Sequence, residues 1–333
     1  MTNYKHLDIL NKRTLYPLKF QPILKEKVWG GNKLAHFFGK EELNKTGESW
    51  EISGVEGNVS IVANGSLKGR SLLNVIQEYD TQLLGNRVYK TFGYNFPLLF
   101  KFIDAKEDLS VQLHPNDELA KKHHDSFGKT EMWYIMQAEE NARIILGFNS
   151  AMDEAKYVEK ISENKITEIL HSENVKTGDS FLIEPGAVHA IGAGVVLAEI
   201  QQTSDVTYRI YDWDRPGIDG KLRELHLDLA LEAINFANLD AKLEYSLNED
   251  LPVQLCSSLY FETNRLLLTK KMTRDLSSHD SFIVYMCVEG EVIIETTDFS
   301  EEMKKGETLL IPASLANIVI NTTGATILEI YIP

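Results

Sequence analysis

In the segment DLSVQLHPND, Ser110, Gln112 and His114 occupy alternate positions, with Val111 and Leu113 between them. On a strand, side chains two apart share a face, so the three polar groups point together until Pro115 ends the strand. KTEMWYIM repeats the arrangement with Lys129, Glu131 and Trp133. EPGAVHAIG then presents His189 just after a Pro-Gly turn, where a loop can aim an imidazole back into a barrel mouth. Gln112, His114, Glu131 and His189 offer two imidazole nitrogens, a carboxylate and an amide oxygen, a set suited to a borderline divalent metal such as zinc. Their single negative charge leaves a dipositive ion with a net positive charge, able to hold an anionic oxygen or polarise a carbonyl. Taken singly, each residue reads more readily as a satisfied polar group, and spacing alone leaves both readings open.

Further along, in VVLAEIQQTSDVTYRIYDWDR, Glu199 and Gln201 share a strand face with Val195 and Leu197, while Val196, Ala198 and Ile200 make the other face wholly apolar. Arg209, on one face with Thr207 and Tyr211, fits a solvated edge as well as an anion clamp. Adjacent His123 and His124 in AKKHHDSF would point about 100° apart on a helix and read as surface. No Gly-rich stretch has the spacing of a nucleotide-binding loop.

The elements that must position these residues are mostly strands. Short runs rich in Val, Ile, Leu, Phe and Tyr recur between Gly, Asn, Asp and Pro, the cadence of a sandwich or barrel. They include residues 59–63, 98–103, 132–137, 143–147, 180–183, 195–201, 207–211, 282–288, 291–295, 308–311 and 327–332. Three segments, 71–84, 153–170 and 224–236, space apolar residues at helical intervals, and the last is expected to bridge two halves. The polar, acidic stretch 238–252 puts a boundary near residue 250, giving domains 1–250 and 251–333. GDSFLIEPGAVHAI (178–191) is echoed by GETLLIPASLANIV (306–319), and WYIMQAEENARII (133–145) by IVYMCVEGEVII (283–294), as two copies of one β unit. Aligning both echoes, with Pro185 set against Pro312 and Trp133 against Ile283, places Ala316 where His189 stands and Ser281 where Glu131 stands.

The chain has 333 residues, enough for two domains, and its 34 Lys+Arg against 49 Asp+Glu give a net charge of −15. Such a field repels phosphate backbones and anionic lipid heads, so no nucleic acid or membrane partner is expected. Two cysteines, Cys256 and Cys287, without CxxC spacing, fit a reducing cytoplasmic setting. Neither a leader-like N-terminus nor a membrane-length apolar run is apparent.

With these segments together, the chain closely resembles the class I (type I) mannose-6-phosphate isomerases in their short bacterial form. The resemblance rests on LKFQPILKEKVWGG (18–31), GESWEISG (47–54), FPLLFKFIDAKEDLSVQLHPND (96–117), KTEMWYIM (129–136), EPGAVHAIG (184–192), EIQQTSDVTYRIYDWDR (199–215) and RELHLDLALEAI (223–234). It implies a mainly β fold of two cupin jelly-roll barrels with a few helices. Only the first barrel would hold metal, one Zn2+ per chain, on Gln112, His114, Glu131 and His189. Lys129, Glu199 and Arg209 fall on the family's catalytic positions, although its usual Lys-Pro-Glu reads Lys-Thr-Glu here. Ser110, Arg215 and Trp29 would bind substrate. The long forms carry a helical insertion absent here, so phosphate contacts it donates elsewhere must be rebuilt. The implied reaction interconverts mannose 6-phosphate and fructose 6-phosphate through a cis-enediol(ate), in a monomer or weak homodimer. A zinc-containing sugar-phosphate sensor of the same fold is the alternative; an iron oxygenase fits the extra Gln112 and the basic residues less well.

Overall fold

The computed structural model describes residues 14–40, 45–237 and 240–333. The first twelve residues and Arg13 of the N-terminal segment, and Asn238 and Leu239 of the polar stretch, lie outside the described residues. The chain order is β1 (Leu18–Lys19), β2 (Ile23–Gly31), α1 (Lys33–Phe38), β3 (Thr46–Ile52), α2 (Leu72–Tyr79), α3 (Thr81–Leu84), α4 (Asn86–Phe92), β4 (Leu98–Ala105), β5 (Val111–Leu113), α5 (Asp117–His124), β6 (Glu131–Ala138), β7 (Arg143–Phe148) and α6 (Glu154–Ser162). It continues with β8 (Leu170–Asn174), β9 (Ser180–Ile183), β10 (His189–Ile191), β11 (Val195–Gln202), β12 (Tyr208–Tyr211) and α7 (Leu227–Ala233). The remainder is all strand: β13 (Val253–Ser257), β14 (Glu262–Leu268), β15 (Met272–Asp275), β16 (Ile283–Glu295), β17 (Ser300–Lys304), β18 (Thr308–Ile311), β19 (Asn317–Asn321) and β20 (Ala325–Tyr331).

In the first half, a six-stranded sheet in the order β2-β3-β4-β11-β6-β9 faces a five-stranded sheet, β12-β5-β10-β7-β8. Ile103, Ile135 and Leu197 from one sheet meet Ile144, Leu146 and Ile191 from the other in a core between them. β11 shows why its sequence is apolar on both faces. Val195 and Leu197 enter that inner core, whereas Val196, Ala198 and Ile200 enter a second core outside the sheet. The second half forms one connected sheet system, in which β16 pairs with β18 and β20 through its first part and with β17 and β19 through its last. The segments expected as separate strands at 282–288 and 291–295 are thus one strand, with Gly290 at φ +75° where it passes between partners.

The outer core joins the halves: Phe96, Phe100 and Ile200 pack with Phe282, Val284 and Leu328, and the Phe96 and Phe282 rings lie 4.9 Å apart. β1 adds to the second half, with Leu18 opposite Leu310 and Lys19 opposite Leu309. The helices α2 to α4 lie across the junction, where the Phe282 amide donates to the Leu84 carbonyl and Asp280 accepts from the backbone of Asn86 and Arg87. The expected bridge at 224–236 is different: only Leu227–Ala233 is helical, and Ala230 is buried with Tyr208, Ile210 and Val188 of the first half. Helix 71–84 breaks at Asp80 (φ +39°), and helix 153–170 stops at Ser162 before Asn164 (φ +56°) and a final strand. Residues 59–63 make only isolated bridges, Phe20 with Val62 and Ile61 with Ser71.

Strand pairing confirms the internal echo and corrects its alignment. β11 pairs with β4 and β6 as β20 pairs with β14 and β16, and both β6 and β16 carry a register shift, at Met136 and Val288. Counting back from these matched bulges, Ile283 stands where Glu131 stands, not Ser281. On the same frame Tyr285 matches Trp133, Glu329 matches Glu199 and Asn264 matches Lys101. An apolar residue thus occupies the position of the first copy's central carboxylate, while Glu329 stays buried, accepting from Tyr285 Oη at 2.7 Å and pairing with Arg274 at 2.7 Å.

Candidate active site

Pairing of β5 with β10 sets Gln112 opposite His189, and pairing of β5 with β12 sets Arg209 opposite Gln112. In the facing sheet, Lys101, Glu199 and Trp133 form one lateral row across β4, β11 and β6, with Gln201 and Glu131 in the next. His189 therefore comes from the start of a strand and not from a loop, and its place is set by pairing. Each sheet contributes one side of a polar pocket within a β shell.

His114, Glu131 and His189 are each 1% exposed, and one potential ligand atom from each lies within 4.8 Å of the others. His114 Nε2 is 3.2 Å from Glu131 Oε1, and His189 Nε2 is 3.9 Å from Glu131 Oε2. The opposite ring nitrogens are held by backbone: His114 Nδ1 lies 3.0 Å from the Val206 carbonyl and His189 Nδ1 2.9 Å from that of Ala187. With Nδ1–H donating to those carbonyls, both rings turn an unprotonated Nε2 toward Glu131, the tautomer a metal requires. Burial, helped by the Lys129 charge, pushes His114 down to about 3, and burial also lowers His189, so both stay neutral. For Glu131 burial acts upward, but Lys129 Nζ at 3.0 Å together with His114 and His189 outweighs it and holds the carboxyl well below the usual range. Glu131 Oε1 has these close neighbours yet no well-formed hydrogen bond, leaving a lone pair for an ion. Gln112 lies beside the three, its amide nitrogen 3.4 Å from His189 Nε2 and its Oε1 accepting from Ser110 Oγ at 3.3 Å. Two neutral imidazoles, one ionised carboxylate and one amide fit a borderline divalent cation.

A cavity of about 120 Å³ opens beside this cluster, walled by Trp29, Ser110, Gln112, Lys129, Glu199 and Arg209. Six of the sequence-predicted residues thus line one cavity, with His114, Glu131 and His189 buried next to it. Arg215 is elsewhere: its guanidinium bonds the Asp108 carbonyl, Glu107 and Asp212, and it does not line the cavity. A cleft of about 790 Å³ between the halves is larger but holds none of these residues, and chemistry rather than volume selects the site.

Sequence reasoning missed Lys101, Lys27, Glu48, Trp50 and Arg223, all of which line the cavity. Lys101 Nζ donates to Glu199 Oε1 at 2.7 Å and to Gln201, while Trp133 Nε1 donates to Glu199 Oε2 at 3.1 Å and to Glu131 Oε2 at 3.2 Å. Burial works against the Lys101 charge, but Glu199, Glu48 and Glu131 together hold its pKa above the ordinary lysine value. Burial and Glu131 raise Glu199 in turn, with Lys101 offsetting part of the effect. The only sequence signal for Lys101 is a lysine inside the apolar run LLFKFI.

Residues 17–141 match the family model for the phosphomannose isomerase type I catalytic domain, and residues 254–330 match that for the mannose-6-phosphate isomerase cupin domain. A mannose-6-phosphate isomerase of Bacillus subtilis is 38% identical over 91% of this chain and 95% of its own, and one of Streptococcus mutans is 32% identical over 90% and 93%. The crystal structure of the mannose 6-phosphate isomerase from Bacillus subtilis superposes with a TM-score of 0.86 at 31% identity, covering 95% of this chain and 99% of that one. A buried His-Glu-His cluster, a two-cupin fold and this similarity along nearly the whole chain agree, and the chain belongs to the type I mannose-6-phosphate isomerase family.

Proposed function

We propose that this enzyme interconverts mannose 6-phosphate and fructose 6-phosphate at the cavity beside Gln112, His114, Glu131 and His189, with one zinc ion held by these four residues. The observation that carries the reading is the convergence of a neutral, backbone-braced imidazole pair with Lys129, Glu199 and Arg209 around one cavity. When bound, zinc supplies a Lewis acid that favours negative charge on the sugar's carbonyl oxygen. The chemistry resides in residues 1–250, and residues 251–333 act as a supporting barrel without metal. Two buried, unpaired thiols support a cytoplasmic setting.

Isomerisation moves the carbonyl between C1 and C2. A proton leaves C2 and returns at C1 through a cis-enediol(ate), while O1 and O2 exchange theirs. Lys129 and Glu199 are the cavity groups we assign to proton transfer, with Lys101 and Trp133 fixing both oxygens of Glu199. Arg209, bonded through Nε to Ser110 Oγ at 3.3 Å, keeps a guanidinium edge for the phosphate, and Trp29 walls the sugar.

A coupled assay for fructose 6-phosphate formation, run before chelation, after it and after zinc is restored, tests substrate and metal together. Activity is expected to vanish on chelation and return with zinc. Lys129→Met and Glu199→Gln are each expected to lower kcat by about 10²–10⁴-fold, the usual contribution of a general acid or base. A folded, zinc-loaded protein without turnover would overturn the isomerase reading in favour of a sugar-phosphate sensor.

A further inference from the structure

Resting on that reading, we infer that Arg223 is the second cation for the substrate phosphate, in place of Arg215, which the resemblance put among the substrate-binding residues. Arg223 and Arg209 line the same cavity. Arg223 comes from the end of a short hairpin, closed by a Pro216–Leu222 bridge and a Gly217 to Lys221 backbone bond of 2.7 Å. Its Nε donates to Asp212 Oδ2 at 2.6 Å and one Nη to Asp212 Oδ1, so the buried carboxylate fixes one edge of the fork. Among the described residues, nothing accepts from its Nη1. Arg209 is left in a similar condition: Nε and Nη1 bind Ser110 Oγ and the Glu224 carbonyl, and Nη2 has no acceptor among the described residues.

Charge on this side of the cavity is unbalanced. Among the described residues Arg209 has no carboxylate within ion-pair distance, and Asp212 is shared between Arg223 and Arg215. Two guanidiniums are thus held near one another with Asp212 as the one carboxylate ion-paired to either among the described residues, while Glu224 acts on Arg209 from farther off and Asp205 lines the same cavity, in a protein of net charge −15. Arg209 responds as expected, its pKa lowered first by burial and then by Arg223. Holding like charges together costs free energy that an arriving dianion removes, and the two open guanidinium edges match phosphate oxygens. Asp212 acts as a positioning residue, and the hairpin rebuilds a contact that longer relatives are expected to take from their insertion.

The test compares Arg223→Met, Arg223→Lys and the exposed hairpin variant Lys221→Met by steady-state kinetics, with inorganic phosphate as a competitive probe. Arg223→Met is expected to raise KM and the phosphate inhibition constant about 10–100-fold while kcat changes less than about threefold, because uniform binding is lost. Arg223→Lys, which keeps the charge beside Asp212 without the fork, should fall between that variant and the parent, and Lys221→Met should match the parent. Thermal melts exclude unfolding, and the lysine variant keeps the test decisive if the methionine variant is unstable. Unchanged KM and phosphate inhibition in folded Arg223→Met would overturn the assignment, as would Arg215→Met raising KM while Arg223→Met does not. If the parent lacks isomerase activity the functional reading fails by itself, and calorimetric titration of inorganic phosphate into parent and Arg223→Met still decides the anion site.

Discussion

Trp133 serves two acceptors with one indole N–H, reaching Glu131 Oε2 at 3.2 Å and Glu199 Oε2 at 3.1 Å. It thereby orients a metal-side carboxylate and a cavity carboxylate at once. Trp133→Phe retains an aromatic ring and removes only that donor, and a loss of about 10–100-fold in metal affinity or activity is expected, as for other groups that orient metal ligands. Zinc titration against a competing chelator and steady-state assay read the two effects separately. At this scale the sequence was partly legible. Gln112 with His114, and Lys129 with Glu131, sit two apart on their segments, and period-two alternation is visible in a chain by itself. Lys101 and Arg223 were not legible because their partners come from register: Lys101 meets Glu199 across two strands, and Arg223 meets Asp212 only after a hairpin folds back. No local spacing encodes either contact.

Strands read well from their apolar runs where each had neighbours on both sides, as β11 does. Residues 59–63 have the same apolar character but form only isolated bridges, since strand propensity expresses itself through pairing. Helices failed at their ends, where left-handed residues such as Asp80 and Asn164 interrupt an apolar periodicity that otherwise continues. Turns carry comparable information in their glycines. Gly306, between β17 and β18, has φ +81°, and a Cβ built there would come within 2.3 Å of the Phe38 ring in α1. Gly306→Ala is expected to destabilise the protein by more than about 1 kcal/mol, from backbone strain and the clash together. Gly324→Ala, where a Cβ meets nothing within 4 Å, should be near neutral. Urea midpoints of the two variants give the comparison.

The molecule has two copies of one unit but a shared core between them, with Phe96 and Phe282 in ring contact. Its four tryptophans, Trp29, Trp50, Trp133 and Trp213, all belong to the first half, so their fluorescence reports that half while far-ultraviolet circular dichroism reports both. The two signals are expected to change at the same urea concentration, and separated midpoints would show that the shared core does not couple the halves. The second half also shows what became of the first copy's polar row. Glu329 keeps the place of Glu199, but Asn264 and Tyr285 replace Lys101 and Trp133, and the balancing cation is Arg274 from a different strand. The strand β1 ties synthesis to assembly in an unusual order. Leu18 and Lys19 leave the ribosome before almost everything they touch, yet they cover the edge of β18, which lies far downstream in the chain. Until then that early segment must stay unclaimed by other strands, and a second half produced without it would offer the Thr308–Ile311 edge to neighbouring copies, an invitation to aggregate.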